Sequence, residues 1–147
     1  MMILFVIRFF DVLLSGVLSG MMIIIWIGSY RQNPSYDIYL ETHQVFIKTY
    51  QKRLPFLGVA TILMTLGSAL LQSNIVSIYL IISAILLFGA EIITRKGMQA
   101  LNKQIMRWSK ERMPNKWEYV MDKWRHFHIA RTVLTLLGFI LIILSSL

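Results

Sequence analysis

Trp124-Arg125-His126-Phe127-His128-Ile129-Ala130-Arg131 is where a basic, tryptophan-studded segment gives way to the last apolar run of the chain, His128 to Leu147. Helical periodicity puts Trp124, His128, Arg131 and Thr135 at i, i+4, i+7 and i+11, one above another on a single face. An imidazole and a guanidinium just inside a hydrocarbon layer are costly against lipid, so a stripe of this kind faces protein, water or a ligand. The stretch therefore predicts a transmembrane helix packed among others, with a polar stripe at its entrance.

The rest of the chain agrees. Its 147 residues are 56% hydrophobic with a mean hydropathy of +0.63, whereas an ordinary soluble domain has about 45–50% apolar residues even with glycine counted. The apolar residues come in blocks, which marks an integral membrane protein. The N-terminus lacks the basic region and small-residue cleavage pattern of a removed signal. There is no cysteine, which excludes disulfides, thiolate metal sites and a cysteine nucleophile.

Spans are expected at about residues 3–28, 54–72, 75–94 and 128–147 of one integral membrane domain. In the first, Arg8 and Asp11 are spaced i, i+3 and so predict an ion pair. Gly16 and Gly20 predict a groove for close helix packing, with Ser15 and Ser19 beside them. Asn33-Pro34-Ser35 reads as a turn, and Tyr36 opens an interfacial helix rich in Tyr and Lys. Pro55 fits the first turn of span two, and Gln72-Ser73-Asn74 makes spans two and three a hairpin. Glu91 at the end of span three is placed to pair with Arg95. Beyond it, Met98, Leu101, Ile105, Trp108 and Met113 approximate one face of an amphipathic helix, broken by Pro114-Asn115. A further helix begins at about Trp117 and runs into span four. The expected fold is all-α: an up-and-down four-span bundle with amphipathic interfacial helices in its first and third connections.

The net charge of +8 is unevenly spread. Arg31, Lys48, Lys52 and Arg53 lie in the first connection, nine of the remaining basic residues lie between Arg95 and Arg125, and the turn between spans two and three has none. The positive-inside rule then predicts that the first and third connections are cytoplasmic and both termini outside. The same rule accounts for the positive charge without nucleic acid, which is not expected as a partner. Membrane lipid is expected as one, a hydrophobic small molecule is a candidate, and so few spans in one chain leave room for a homo-oligomer.

Polar residues at membrane depth concentrate near the predicted cytoplasmic face: Glu41 and His43 before span two, Glu91 at the end of span three, Asn102 beyond it, and Trp124, His128 and Arg131 at the start of span four. A bundle that gathers them forms one mouth, open to an amphiphilic molecule from the lipid. Arg131 suits a carboxylate, a phenolate or a lipid phosphate. His126 and His128 are two apart and point in different directions on a helix, and no His-x-x-x-His or Glu-x-x-His pair exists. A metal set of Glu41, His43, Glu91 and His128 is weaker than simple interfacial hydrogen bonding, so no metal is expected. The sequence specifies no other cofactor. The nine methionines are dispersed as packing residues would be. Nucleophile-elbow, Walker and dinucleotide-loop motifs are absent.

Several of these motifs together resemble a known family, the small four-helix membrane proteins related to fungal anthrone oxygenases. They are a small-residue first span, here Leu14 to Gly20; a Thr and an Asn after the third span, here Thr94 and Asn102; a tryptophan-rich stretch, here Trp108, Trp117 and Trp124; and the ending Trp-x-x-x-His-x-x-Arg-Thr, here Trp124, His128, Arg131 and Thr132. Family members often carry a proline before the Asn-containing segment, where this chain has Gly97-Met98-Gln99-Ala100-Leu101. The resemblance implies an oxygenase that converts a polycyclic phenolic anthrone to an anthraquinone, a reaction that an ionised substrate and oxygen can sustain without a metal. In that reading His128 is the base, Arg131 and Asn102 stabilise the developing oxyanion, and Trp124 stacks on the rings, with Glu91, His43 and Glu41 around the ligand. The alternative is a non-enzymatic binding or accessory subunit for lipid, quinone or a larger membrane complex.

Overall fold

This computed structural model describes residues 2–29 and 35–147. They form α1 (Met2–Ser29), α2 (Tyr36–Tyr50), α3 (Arg53–Leu70), α4 (Asn74–Ile92), a π-helical turn (Ile93–Met98) that carries α4 directly into α5 (Gln99–Ile105), and α6 (Trp117–Leu144). The turn expected at Asn33-Pro34 and the basic residue Arg31 lie outside the described residues.

Four helical stretches are long and apolar enough to cross a membrane: α1, α3, α4 with its extension to Ile105, and α6. They pack in a ring, α1 against α3 and α6, and α4 against α3 and α6. The α3–α4 hairpin closes at Asn74, whose φ of 62° is the left-handed conformation that asparagine tolerates better than most residues. The chain is an all-α, four-span transmembrane bundle.

The first and third connections lie at the same end and pack together as a cap. Its buried residues include Tyr36, Leu40, Ile47, Met98, Leu101 and Ile105. Backbone polar groups of the third connection are satisfied from α2. Gln44 Nε2 donates to the carbonyls of Ile105 and Trp108, each at 3.0 Å, and the Tyr36 hydroxyl donates to the Ser109 carbonyl at 2.8 Å. Those bonds explain a difference from the sequence expectation. The amphipathic helix after span three ends at Ile105, well before Pro114, where the Gln44 amide caps the Ile105 carbonyl and also holds the Trp108 carbonyl of the loop. Trp108 then lies in the loop against Tyr36, with ring centroids 6.4 Å apart. The stretch Gly97 to Leu101, where relatives often carry proline, stays helical. Gly97 faces the Phe127 ring so closely that a Cβ there would lie 3.2 Å from it.

Two expectations for α1 need correction. Arg8 and Asp11 form no ion pair. Asp11 turns into the bundle, where its Oδ1 accepts from the Thr65 hydroxyl of α3 at 2.7 Å. Arg8 reaches the end of α6 instead, with Nη2 donating to the Ser145 and Ser146 hydroxyls at 2.8 and 2.5 Å. A neutral hydroxyl at bundle depth and hydroxyls at the helix end each offer what the i, i+3 partner would have supplied. The Gly16–Gly20 groove forms only in part: a Cβ at Gly16 would lie 3.5 Å from the Phe139 ring of α6, whereas one at Gly20 would meet nothing within 4 Å. The buried face of α1 is Asp11, Ser15, Leu18, Ser19 and Met22.

Candidate functional site

The polar stripe of α6 faces the interior. Trp124, His128, Arg131 and Thr135 are all buried, His128 completely, while His126, two residues from His128, is exposed and bonds the Asp122 carbonyl of its own helix. The imidazole of His128 is held at both nitrogens. Nε2 lies 3.1 Å from the Met22 carbonyl oxygen of α1, and Nδ1 accepts from Arg131 Nε at 2.9 Å. A carbonyl accepts and a guanidinium donates, so the two partners assign the proton to Nε2 and the lone pair to Nδ1. Arg131 also donates from Nη1 to the Thr94 hydroxyl at 3.3 Å. Trp124 donates from Nε1 to Asn102 Oδ1 at 3.0 Å and stacks on His128 with centroids 5.2 Å apart. Asn102 and Thr94 therefore act as the acceptors that orient the Trp and Arg of α6.

His43 comes from α2. Its ring stacks on Tyr39 at 4.7 Å and meets Trp124 edge-on at 4.3 Å. Nε2 is buried and has no hydrogen-bond partner. Burial pushes this imidazole down to about 4, because desolvation disfavours the charged form. It is therefore neutral at physiological pH.

His43 and Trp124 form one wall of a cavity of about 320 Å³ between α1, α2 and α6. That volume is at the small end of the roughly 300–1,000 Å³ typical of small-molecule sites. Met21, Ile24 and Ile25 of α1 form the opposite wall, and Phe46 and Tyr50 continue the His43 face. The lining is aromatic and aliphatic, with the imidazole as its polar handle. Behind Phe46, Tyr50 and Trp124 lies a void of about 20 Å³ bordered by Asn102, Thr94 and Arg131.

The structure thus brings together Trp124, His128, Arg131, Asn102 and His43. Glu91 is at the edge of the group. Its Oε1 pairs with Arg95 Nε at 3.2 Å, and its Oε2 lies where a Cβ on Gly58 would come within 2.7 Å. The glycine is what allows that carboxylate to lie against α3. Glu41 is separate: it is exposed and pairs with Lys110 at 3.3 Å on the surface of the cap. Glu41, His43, Glu91 and His128, weighed as a metal set, are accordingly not assembled into one, and among the described residues no group of three or more His, Asp or Glu side chains is placed to hold a metal ion.

Sequence reasoning missed Phe46 and Tyr50, although they follow His43 at i+3 and i+7 and so share its face. It also missed Thr94 as the Arg131 acceptor. The Met22 carbonyl left no signal, because a backbone atom is the same at every position.

The family model for anthrone oxygenase matches residues 43–141. The chain belongs to the anthrone oxygenase family. The matched part includes His43 and the whole α6 stripe, but not α1. In this family member α1 nevertheless supplies the Met22 carbonyl and one wall of the cavity. No curated protein and no solved structure matches the chain.

Proposed function

We propose that this anthrone oxygenase family member takes a flat aromatic or lipid-like molecule into the cavity between α1, α2 and α6, at the cytoplasmic mouth of the bundle, and oxidises it with dioxygen. The observation that carries the reading is the apolar cavity walled by the His43 and Trp124 rings, with an unpartnered His43 nitrogen buried beside it. A polycyclic phenol fits that chemistry. Its rings lie against Trp124 and Phe46, and its hydroxyl lies beside the His43 ring, whose buried, unpartnered Nε2 can accept from it once the ring turns toward the ligand. For an anthrone, the ring methylene becomes a carbonyl. One oxygen atom of dioxygen enters the carbon, the other leaves as water with both methylene hydrogens, and four electrons pass from carbon to oxygen.

In this reading His43, not His128, receives the substrate's proton or hydrogen bond. Both His128 nitrogens are already engaged, so His128 is a positioning residue that holds Arg131 and Trp124. Arg131 and Asn102 stand behind the aromatic wall, where the guanidinium favours negative charge developing on the bound molecule.

The second reading, a binding or accessory subunit, is favoured by the same imidazole. Burial keeps His43 neutral and makes it a weak base, which suits retention of a phenol without turnover. The two separate in detergent with an anthrone and dissolved oxygen. The enzyme reading expects oxygen consumption and quinone absorbance that vanish in His43→Phe, which keeps an aromatic ring on the wall and removes the imidazole nitrogens. Binding without oxygen uptake supports the subunit. Ligand affinity should be flat from neutral pH down to about 5 and fall as His43 protonates near 4.

Orientation has its own test. The chain has no cysteine, so Lys116→Cys in the cap gives a single labelling site. Protection from an impermeant maleimide in intact cells, with labelling after lysis, supports a cytoplasmic cap. Labelling in intact cells reverses it.

A further inference from the structure

A second concavity lies on the outside of the bundle, where α2 turns into α3 beside the π-helical turn. It has a volume of about 410 Å³ and is lined by Gln51, Lys52, Pro55, Phe56, Val59, Arg95 and Gln99. Its two ends differ in chemistry. Lys52 and Arg95, both exposed, stand at the rim with two glutamines. Phe56 and Val59 lie one and two turns further along α3, on the same face as Lys52. Phe56 is 77% exposed, turned outward from a helix that crosses the membrane.

We propose that this groove is a binding site for one anionic phospholipid, with its phosphate between Lys52 and Arg95 and an acyl chain along Phe56 and Val59. Charge complementarity selects the headgroup. Lys52 forms no ion pair among the described residues, and the Arg95 bond to Glu91 uses Nε alone. Position selects a lipid over a soluble anion. Lys52 immediately precedes α3 and Arg95 follows the last turn of α4, so both cations sit at headgroup level, directly above apolar side chains that face hydrocarbon. The glutamines supply neutral donors for the glycerol and ester oxygens. Arg95 and Gln99 are spaced i, i+4 and so reach the groove from one face of the helical stretch.

The test uses the full chain in detergent, with native mass spectrometry to count retained lipid. Phosphatidylglycerol should be retained at about one per chain and phosphatidylcholine should not. Lys52→Ala should weaken phosphatidylglycerol retention about fivefold, the effect of one basic residue at a charged membrane surface. Val59→Trp, which fills the acyl end and leaves every charge in place, should weaken it as well. Lys116→Ala, elsewhere on the basic cap, should leave it unchanged. The proposal is overturned by equal retention of the two lipids, by a Lys116→Ala loss as large as that of Lys52→Ala, or by wild-type retention in Val59→Trp. Glycerol 3-phosphate binding as tightly as phosphatidylglycerol would also overturn it, since that would mark a soluble-anion site.

Discussion

In the spans, the completely buried side chains include Asp11, Ser15, Thr61, Thr65, Ser83 and Thr132, alongside Leu80 and Ile142. In the cap they are Ile47, Met98 and Ile105, with Trp124 at the junction, and the charges lie outside. The spans bury small polar groups among their aliphatic ones and present Phe9, Leu63, Ile85 and Phe88 outward, whereas the most deeply buried side chains of the cap are large and apolar. The difference follows from the solvent each region meets. Against hydrocarbon there is no gain in hiding a leucine, so helices associate through small side chains and hydrogen bonds. Against water the cap needs an ordinary hydrophobic core.

Several hydroxyls of the spans are satisfied within the bundle. Thr61, Thr132 and Thr135 each donate to the carbonyl four residues back on their own helix, at 2.7–2.8 Å. Ser83 crosses to the Gly138 carbonyl at 2.8 Å, where the absence of a side chain lets α4 and α6 approach. The candidate site lies where the two kinds of interior meet, which is why it mixes an aromatic wall with a hydrogen-bonded imidazole and guanidinium.

Four measurements sharpen the contrast. The largest effect is expected at the junction. Trp124→Ala removes a buried aromatic of the cap core and should cost about 3–5 kcal/mol, read as a lowered unfolding midpoint in detergent. A loss below about 1 kcal/mol would mean that the cap has no water-type core. His128→Ala leaves the Met22 carbonyl and Arg131 Nε without partners and should cost about 1.5–3 kcal/mol. Restoration by His128→Gln, which offers a donor and an acceptor, would tie the loss to those bonds and not to ring volume.

The third effect depends on pH. His43 is held at about 4 when folded, below the ordinary histidine value of 6.5. Between those values the unfolded chain binds more protons, so stability should rise with pH from about 4 to 6.5 and level off above. His43→Gln should flatten that slope in unfolding curves taken across the window, and an unchanged slope would place the titration elsewhere. The smallest effect is in the spans. Thr65→Val deletes the interhelical donor to Asp11 and should cost about 0.6 kcal/mol, the average for such bonds in membranes. A cost of 3 kcal/mol or more would show that the bundle depends on that polar contact as a soluble core depends on its largest side chains.

Much of this was legible in the chain. Long apolar blocks announce spans because a bilayer sets their length. The i, i+4, i+7 spacing of Trp124, His128 and Arg131 announces an inward stripe, as does the pairing of Glu91 with Arg95. Both signals are local, and helical geometry alone converts them into structure. The family resemblance was legible for a similar reason, since its motifs run through consecutive segments.

Other features depended on which surfaces meet. That Asp11 chooses Thr65 over Arg8, that His43 joins the aromatic wall while Glu41 stays outside, and that the Met22 carbonyl occupies the second nitrogen of His128 are contacts between segments far apart in sequence. No spacing rule reaches across them, because each is set by helix rotation and depth within the bundle. The sequence by itself determined four membrane-crossing helices and a polar stripe facing inward. Only tertiary packing decided which imidazole is held by hydrogen bonds at both nitrogens and which borders the cavity.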